Sequence, residues 1–272
     1  MTQPRQDKVR ELMARVAIVL VSPKFAENIG SAARIAANMG IGQLLLVCKE
    51  MPERNRMLTL ATAKAAHLID NLEHHQELSE ALAPFTWVLG TSARQGRKRT
   101  TVDSPRQLMD EILPQLKNNR VALLFGPEDR GLANEELRYC NQITTIPTVD
   151  FSSLNLAQAV AVLCYELHYS VLEAVNRTAF PASTPKQGDK RELEAMFGHV
   201  EEVLQTIGFL KSGEDNYWMK SIRQFLGRLG LKSKEIKIIR GVCRQLLWRE
   251  GQHSQEEKAQ ATGQPDKLKS AS

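Results

Sequence analysis

Val16 to Val21 reads VAIVLV and runs straight into Ser22 to Arg34, SPKFAENIGSAAR. A short run with no polar residue suits a strand covered on both faces, the mark of a mainly parallel sheet. The segment after it predicts a turn and then a helix from Asn28 to Met39. That helix carries Ile29, Ala33, Ala36 and Ala37 on a small-residue face and stops at Gly40. Working outward, apolar runs recur at Leu44 to Val47, Trp87 to Gly90 and Val121 to Phe125. Gln142 to Thr148 is a weaker strand candidate, with Pro147 near its end. Between them, Ser104-Pro105 opens a helical segment to Lys117, and a longer helix is predicted from Asn155 to about Val175. This alternation predicts an α/β domain with a mainly parallel sheet flanked by helices.

The composition changes near Asn176. NRTAFPASTPKQGDK reads as a linker, rich in Pro, Ser, Thr and Gly. Arg191 to Leu210, Asn216 to Leu229 and Ser233 to Arg249 then show helical periodicity without strand signals. The expected organisation is an α/β domain over 1–175, a linker over 176–190, a small helical appendage over 191–250 and a disordered polar tail over 251–272. Phe225, Leu226, Leu229 and Trp248 of the appendage could simply pack, with Lys220, Arg223 and Arg228 solvated; contact with RNA is the alternative.

The 272 residues are 42% hydrophobic and 25% charged, enough apolar mass for a real core, and the formal net charge of +5 leans toward a polyanionic partner. Cys48, Cys140, Cys164 and Cys243 show no metal-ligand spacing and no disulfide framework, which fits reduced thiols of a cytoplasmic protein. No apolar run reaches the length of a membrane span, and MTQPRQDKVRELM lacks the apolar centre of an export signal. A P-loop is absent, and Gly40-Ile-Gly42 follows a helix rather than a strand, the wrong context for a dinucleotide fingerprint. His74 and His75 are read as the solvated face of a polar helix, EHHQELSE, so no metal site is expected.

Three segments place polar residues and glycines at predicted strand ends, where open α/β sheets bind ligands. In the first, Asn28 could cap a helix and Arg34 could meet an anion; a plain cap and a surface ion pair are the alternative. In the second, GTSARQGRKR (Gly90 to Arg99), a buried strand opens into Arg94, Arg97, Lys98 and Arg99, either forks for phosphate or a solvated loop. The third joins FGPEDRGL (Phe125 to Leu132) to IPTVDFSSLN (Ile146 to Asn155). There Gly126 permits close backbone approach, while Ser152, Ser153 and Asn155 cluster at a helix entrance.

At these residues the chain resembles a known family. NIGSAAR after VAIVLV, LLFGPEDRGLANEEL and IPTVDFSSLNLAQAVAVLCYEL are similar to the three motifs of the SPOUT RNA 2′-O-ribose methyltransferases. TSAR and the pattern GFL…MKSIRQFLGRLGL…EIKIIRGV narrow the resemblance to the TrmJ branch, covering roughly Val16 to Arg249. The resemblance implies a C-terminal trefoil knot, S-adenosylmethionine as cofactor, and a homodimer whose site uses both chains. It implies methylation of tRNA ribose on cytidine or uridine at anticodon-loop position 32. Other RNAs, including rRNA, or a catalytically silent RNA-binding module are the alternatives. Carried over by motif, cofactor contacts fall on Thr91, Ser92, Ala93, Gly126, Ile146, Ser152, Ser153 and Leu154. Asn28, Arg34, Glu128, Ser153 and Asn155 match the family's catalytic positions; Arg34, Arg94, Arg97 and Arg99 are the candidates for RNA, and the insertion-like QGRKR after TSAR leaves open which of Arg94 and Arg97 meets it. The stretch from Ile146 to the Ser-Ser-Leu-Asn run is one residue shorter than the family's and lacks its Asn-Pro.

Overall fold

The computed structural model describes residues 2–92, 101–102, 104–149, 154–177, 180–210 and 215–261. In chain order its elements are α1 (Gln3–Met13), β1 (Val16–Val21), α2 (Ala26–Met39), β2 (Gln43–Val47), α3 (Arg54–Asp70), β3 (Glu73–His75), α4 (Leu78–Leu82) and β4 (Trp87–Thr91). There follow β5 (Thr101–Val102), α5 (Pro105–Ile112), β6 (Val121–Phe125), α6 (Asn134–Leu137), β7 (Gln142–Thr144) and α7 (Leu156–Arg177). The last three are α8 (Lys190–Thr206), α9 (Asp215–Arg228) and α10 (Ser233–Ala261). The chain divides into two compact units, Met1–Arg191 and Glu192–Ser272.

The first unit is built on a seven-stranded sheet in the order β3-β2-β1-β6-β4-β7-β5. Every pairing in it is parallel. All six residues of β1 are buried, and they alternate between two cores because successive side chains leave a strand on opposite faces. Ile18 and Leu20 join a cluster with Leu12 of α1, Ile29 and Ala33 of α2, Leu108 of α5 and Leu163 of α7. Ala17, Val19 and Val21 join one with Leu82 of α4, Leu132 and Leu137. An unbroken apolar run is what a strand covered on both faces requires.

Helix α2 lies close against α3 through Gly30, where an added Cβ would stand 1.9 Å from the Met57 carbonyl oxygen. Further along α3, Thr62 departs from helical geometry at φ 63° and ψ 161°, a strained conformation for a β-branched residue. α2 itself starts at Ala26, before the expected Asn28. Its N-cap is Phe25, which makes no side-chain cap bond. His74 and His75 belong to the edge strand β3 rather than to a polar helix, and His74 Nε2 lies 2.9 Å from the Cys48 carbonyl oxygen. An edge strand only three residues long and turned toward solvent needs no apolar alternation, so periodicity does not reveal it.

The segment expected to be a linker is bound to the first unit. Thr184 N–H donates to the Pro114 carbonyl (2.9 Å), and the amides of Asn118 and Asn119 donate to the carbonyls of Thr184 and Pro185 (2.9 and 3.2 Å). Asn119, 1% exposed, accepts from Gln187 N–H, and Lys190 and Arg191 N–H groups reach the carbonyls of Phe85 and Ala83.

The second unit packs Leu193, Met196 and Phe197 of α8 against Ile236 of α10, with Leu226 of α9 at the margin. Arg223 bonds Glu194 and lies over the Phe197 ring, 4.6 Å from its centroid. Phe225, Leu229 and Trp248 are exposed, so of the four apolar residues singled out above only Leu226 joins this core. α10 continues through Gly251 to Ala261, into the expected disordered tail; the run GQHSQEEKAQA lacks large apolar residues, but its QEEKAQA portion is made of good helix formers.

Candidate active site

Parallel pairing puts the carboxyl ends of β1, β6, β4 and β7 along one edge of the sheet. In register, Leu20 sits beside Phe125 and Thr91 beside Thr144, so the turns that follow these strands emerge together. Helix α7 starts at the same edge, immediately after Asn155.

A chain of hydrogen bonds ties three of these turns. The Glu128 carboxylate accepts from the Lys24 backbone N–H (2.8 Å) and from the Asn28 side-chain amide (2.5 Å). Asn28 Oδ1 accepts from Asn155 Nδ2 at 3.0 Å, and Asn155 Oδ1 accepts from Ala157 N–H at 2.8 Å, capping α7. Asn155 N–H in turn donates to Gln158. Asn28, 7% exposed, therefore has both ends of its amide engaged. The expectation that it caps α2 is wrong: the turn over Pro23 to Phe25 lets the helix begin earlier, and the Asn28 side chain points across to Glu128 instead. The Lys24 ammonium lies 2.7 Å from Asp129, and its hydrogen bond, aided by its charge, holds the Asp129 carboxyl below its ordinary range.

Beside this network lie the described members of the expected cofactor set. Ser92 N–H donates to the Thr144 carbonyl (3.0 Å), extending the β4–β7 ladder beyond Thr91, and Thr91 Oγ1 reaches the Leu124 carbonyl at 3.4 Å. Gly126 is buried at the end of β6, where a Cβ would stand 2.3 Å from the Gly131 carbonyl carbon. Its missing side chain lets the turn carrying Glu128 fold back on the strand. Ile146 is partly buried against the main core, and Leu154 precedes Asn155 at the entrance to α7. Ala93, Arg94, Arg97, Lys98, Arg99, Ser152 and Ser153 lie outside the described residues.

Arg34 is not part of the hydrogen-bonded network. It lies six residues beyond Asn28 on α2, roughly 9 Å along the helix axis and on a different face. It is exposed and has no hydrogen bond or ion pair to any described residue.

Two contributors escaped sequence reasoning. Lys24 acts through its backbone N–H, which no residue type advertises. Thr145 Oγ1, one residue before Ile146, is buried with no hydrogen-bond partner among the described residues. An unpaired buried hydroxyl costs about 1–3 kcal/mol, so a ligand bringing a polar atom to it is favoured. That orphan and the polar turn residues fit a large polar cofactor such as S-adenosylmethionine. Among the described residues no group of His, Cys, Asp or Glu could hold a metal ion, and no helix is long and apolar enough to cross a membrane.

Residues 15–165 match the SpoU rRNA Methylase family. Residues 191–259 match the tRNA methyltransferase TrmJ C-terminal domain. The tRNA (cytidine/uridine/adenosine-2′-O-)-methyltransferase TrmJ of Pseudomonas aeruginosa is 36% identical over 240 residues, spanning 85% of this chain and 93% of that protein. The tRNA (cytidine/uridine-2′-O-)-methyltransferase TrmJ of Escherichia coli is 32% identical over 243 residues, spanning 85% and 94%. The crystal structure of TrmJ from Z. mobilis superposes with a TM-score of 0.72 at 32% identity, covering 85% of this chain and 98% of that one. The chain belongs to the SpoU methylase family, with the SPOUT fold, and within that family to the TrmJ branch. The resemblance read from NIGSAAR, FGPEDRGL and SSLN is thus correct.

Proposed function

We propose that this chain transfers a methyl group from S-adenosylmethionine to the ribose 2′-hydroxyl of tRNA, on cytidine or uridine at anticodon-loop position 32, and that it works as a homodimer. The observation that carries this is the Glu128–Asn28–Asn155 chain of hydrogen bonds, which gathers three motif turns at one sheet edge. The names of the P. aeruginosa and E. coli relatives support the tRNA 2′-hydroxyl as acceptor.

S-adenosylmethionine supplies a methyl carbon made electrophilic by the adjoining sulfonium. Thr91, Ser92, Ala93, Gly126, Ile146, Ser152, Ser153 and Leu154 would hold it. In-line displacement then demands that the hydroxyl be aligned behind that carbon. Asn28, Glu128, Ser153 and Asn155 are assigned to fixing the ribose. The C–O bond would form as the methyl carbon–sulfur bond breaks, leaving a neutral thioether, while the hydroxyl loses its proton and its oxygen carries developing negative charge, which a cation beside it stabilises. Arg34 takes that role and grips the neighbouring phosphate. A guanidinium rarely surrenders a proton, so the proton leaves to a phosphate oxygen or water. The exposure of Arg34 and its distance from Asn28 along α2 favour a dimer in which each subunit's Arg34 completes the other's site. Arg94, Arg97 and Arg99 are assigned to the RNA backbone.

The test is to incubate purified protein with bulk tRNA and methyl-labelled cofactor, then map the modified nucleoside by mass spectrometry. A 2′-O-methylated pyrimidine at position 32 is expected. Label on rRNA alone or at another tRNA position overturns the substrate, and failure to bind S-adenosylmethionine in calorimetry overturns the activity.

A further inference from the structure

We propose that Phe25 is a stacking platform for the base of the nucleotide being methylated; this rests on the reading of the chain as an RNA ribose methyltransferase. Phe25 occupies the N-cap of α2, a position that favours Ser, Thr, Asp or Asn because their side chains satisfy free N–H groups. It makes no such bond, and 53% of its surface is exposed although it is a large aromatic. Its side chain therefore serves neither the helix end nor either core. Local rules are broken in this way where function is the compensation.

Its place gives the function. The preceding residue, Lys24, donates its N–H to Glu128, and the Phe25 carbonyl accepts from Asn28 N–H at 3.0 Å. The backbone carrying the ring is thus fastened on both sides to the polar network assigned to the ribose. A base is joined to C1′, the neighbour of the carbon bearing the reacting hydroxyl, so it must lie within a few bond lengths of that network. A nucleotide drawn from a loop stack into a site loses its stacking neighbours, and an exposed aromatic face on an anchored backbone replaces them for a pyrimidine or a purine alike.

Steady-state methylation should be compared for wild type, Phe25→Ala and Phe25→Trp, on intact tRNA. A matching binding series uses tRNA made abasic at the mapped target. Phe25→Ala should weaken tRNA binding about tenfold, and Phe25→Trp should restore it. Affinity for S-adenosylmethionine should stay at the wild-type value in both variants. On abasic tRNA, wild type and Phe25→Ala should bind equally, because the partner of the ring is gone. An equal tenfold loss on abasic tRNA, or a changed oligomeric state in Phe25→Ala by sedimentation, overturns the stacking role in favour of backbone contact or a subunit interface. Unchanged tRNA binding by Phe25→Ala overturns it outright. Should wild type methylate no tRNA at all, it is the enzymatic reading that fails, and the two failures are distinct.

Discussion

Asn155 Nδ2 donates to Asn28 Oδ1 across 3.0 Å, and the direction of that bond is set two residues away. An ionised carboxylate only accepts, so Glu128 turns the Asn28 NH₂ toward itself and leaves the Asn28 oxygen facing Asn155. Asn155 must then point its NH₂ at Asn28 and its oxygen at Ala157 N–H, where it caps α7. One negative charge thus orders two amides and a helix start.

Glu128→Gln therefore removes the element that orients the amides while nearly preserving volume. Methyl transfer should fall by about 100-fold, in line with the loss of a positioned polar group in an active site. The melting temperature should drop by only a few degrees. A variant as active as wild type would show that the ordered amides have no part in the reaction.

Arg34→Ala should abolish turnover, by about 100-fold or more, with S-adenosylmethionine affinity near wild type. Stability should hardly change, because the side chain is exposed and unpaired among the described residues. Arg34→Lys should also be poor, since an ammonium lacks the planar fork. Collapse of cofactor binding in Arg34→Ala would place the residue on the cofactor instead.

Gly30→Ala drives a methyl group into the Met57 carbonyl, 1.9 Å from its oxygen. Backbone cannot swing aside as a side-chain tip can, so α2 and α3 must part. The cost should be about 3 kcal/mol in chemical denaturation, at the upper end of ordinary overpacking. A loss below 1 kcal/mol would mean that the two helices slide freely.

Burial pushes the Cys140 thiol up from 9.0 to about 12 and raises that of the fully buried Cys164 as well. In the unfolded chain both ionise near pH 9, whereas the folded state keeps its protons. The stabilising contribution is whole below pH 9 and is lost as pH climbs toward 12, by up to about 1.4 kcal/mol per pH unit for each thiol. Denaturation midpoints should fall over that window, and Cys164→Ala should flatten the slope. An unaltered slope in that variant refutes the assignment.

Much of this architecture could be read from residue order. Runs such as VAIVLV and VALLF announce buried parallel strands because both faces must be apolar, and polar residues clustered at their carboxyl ends mark the site. The insertion of β6 between β1 and β4 was not legible, because burial on both faces says nothing about which strand lies alongside. Edge strand β3 was hidden by its polarity. Asn28, Glu128 and Asn155 were each nameable, but the bonds among them depend on where α2 begins. That start was misplaced because Phe25 gives no capping signal.

The stretch from Thr184 to Arg191 has a practical corollary. The surrounding run NRTAFPASTPKQGDK, with its Pro, Ser, Thr and Gly, invites a molecular biologist to cut there when isolating the catalytic half. A fragment ending at Arg177 would strip Asn119 of its bonds to Pro185 and Gln187 and leave the carbonyls of Phe85 and Ala83 without the N–H groups of Lys190 and Arg191. A fragment that keeps these bonds must extend beyond Arg191, which already lies in the first turn of α8, and proteases that favour Pro-containing connectors should find this one a poor substrate.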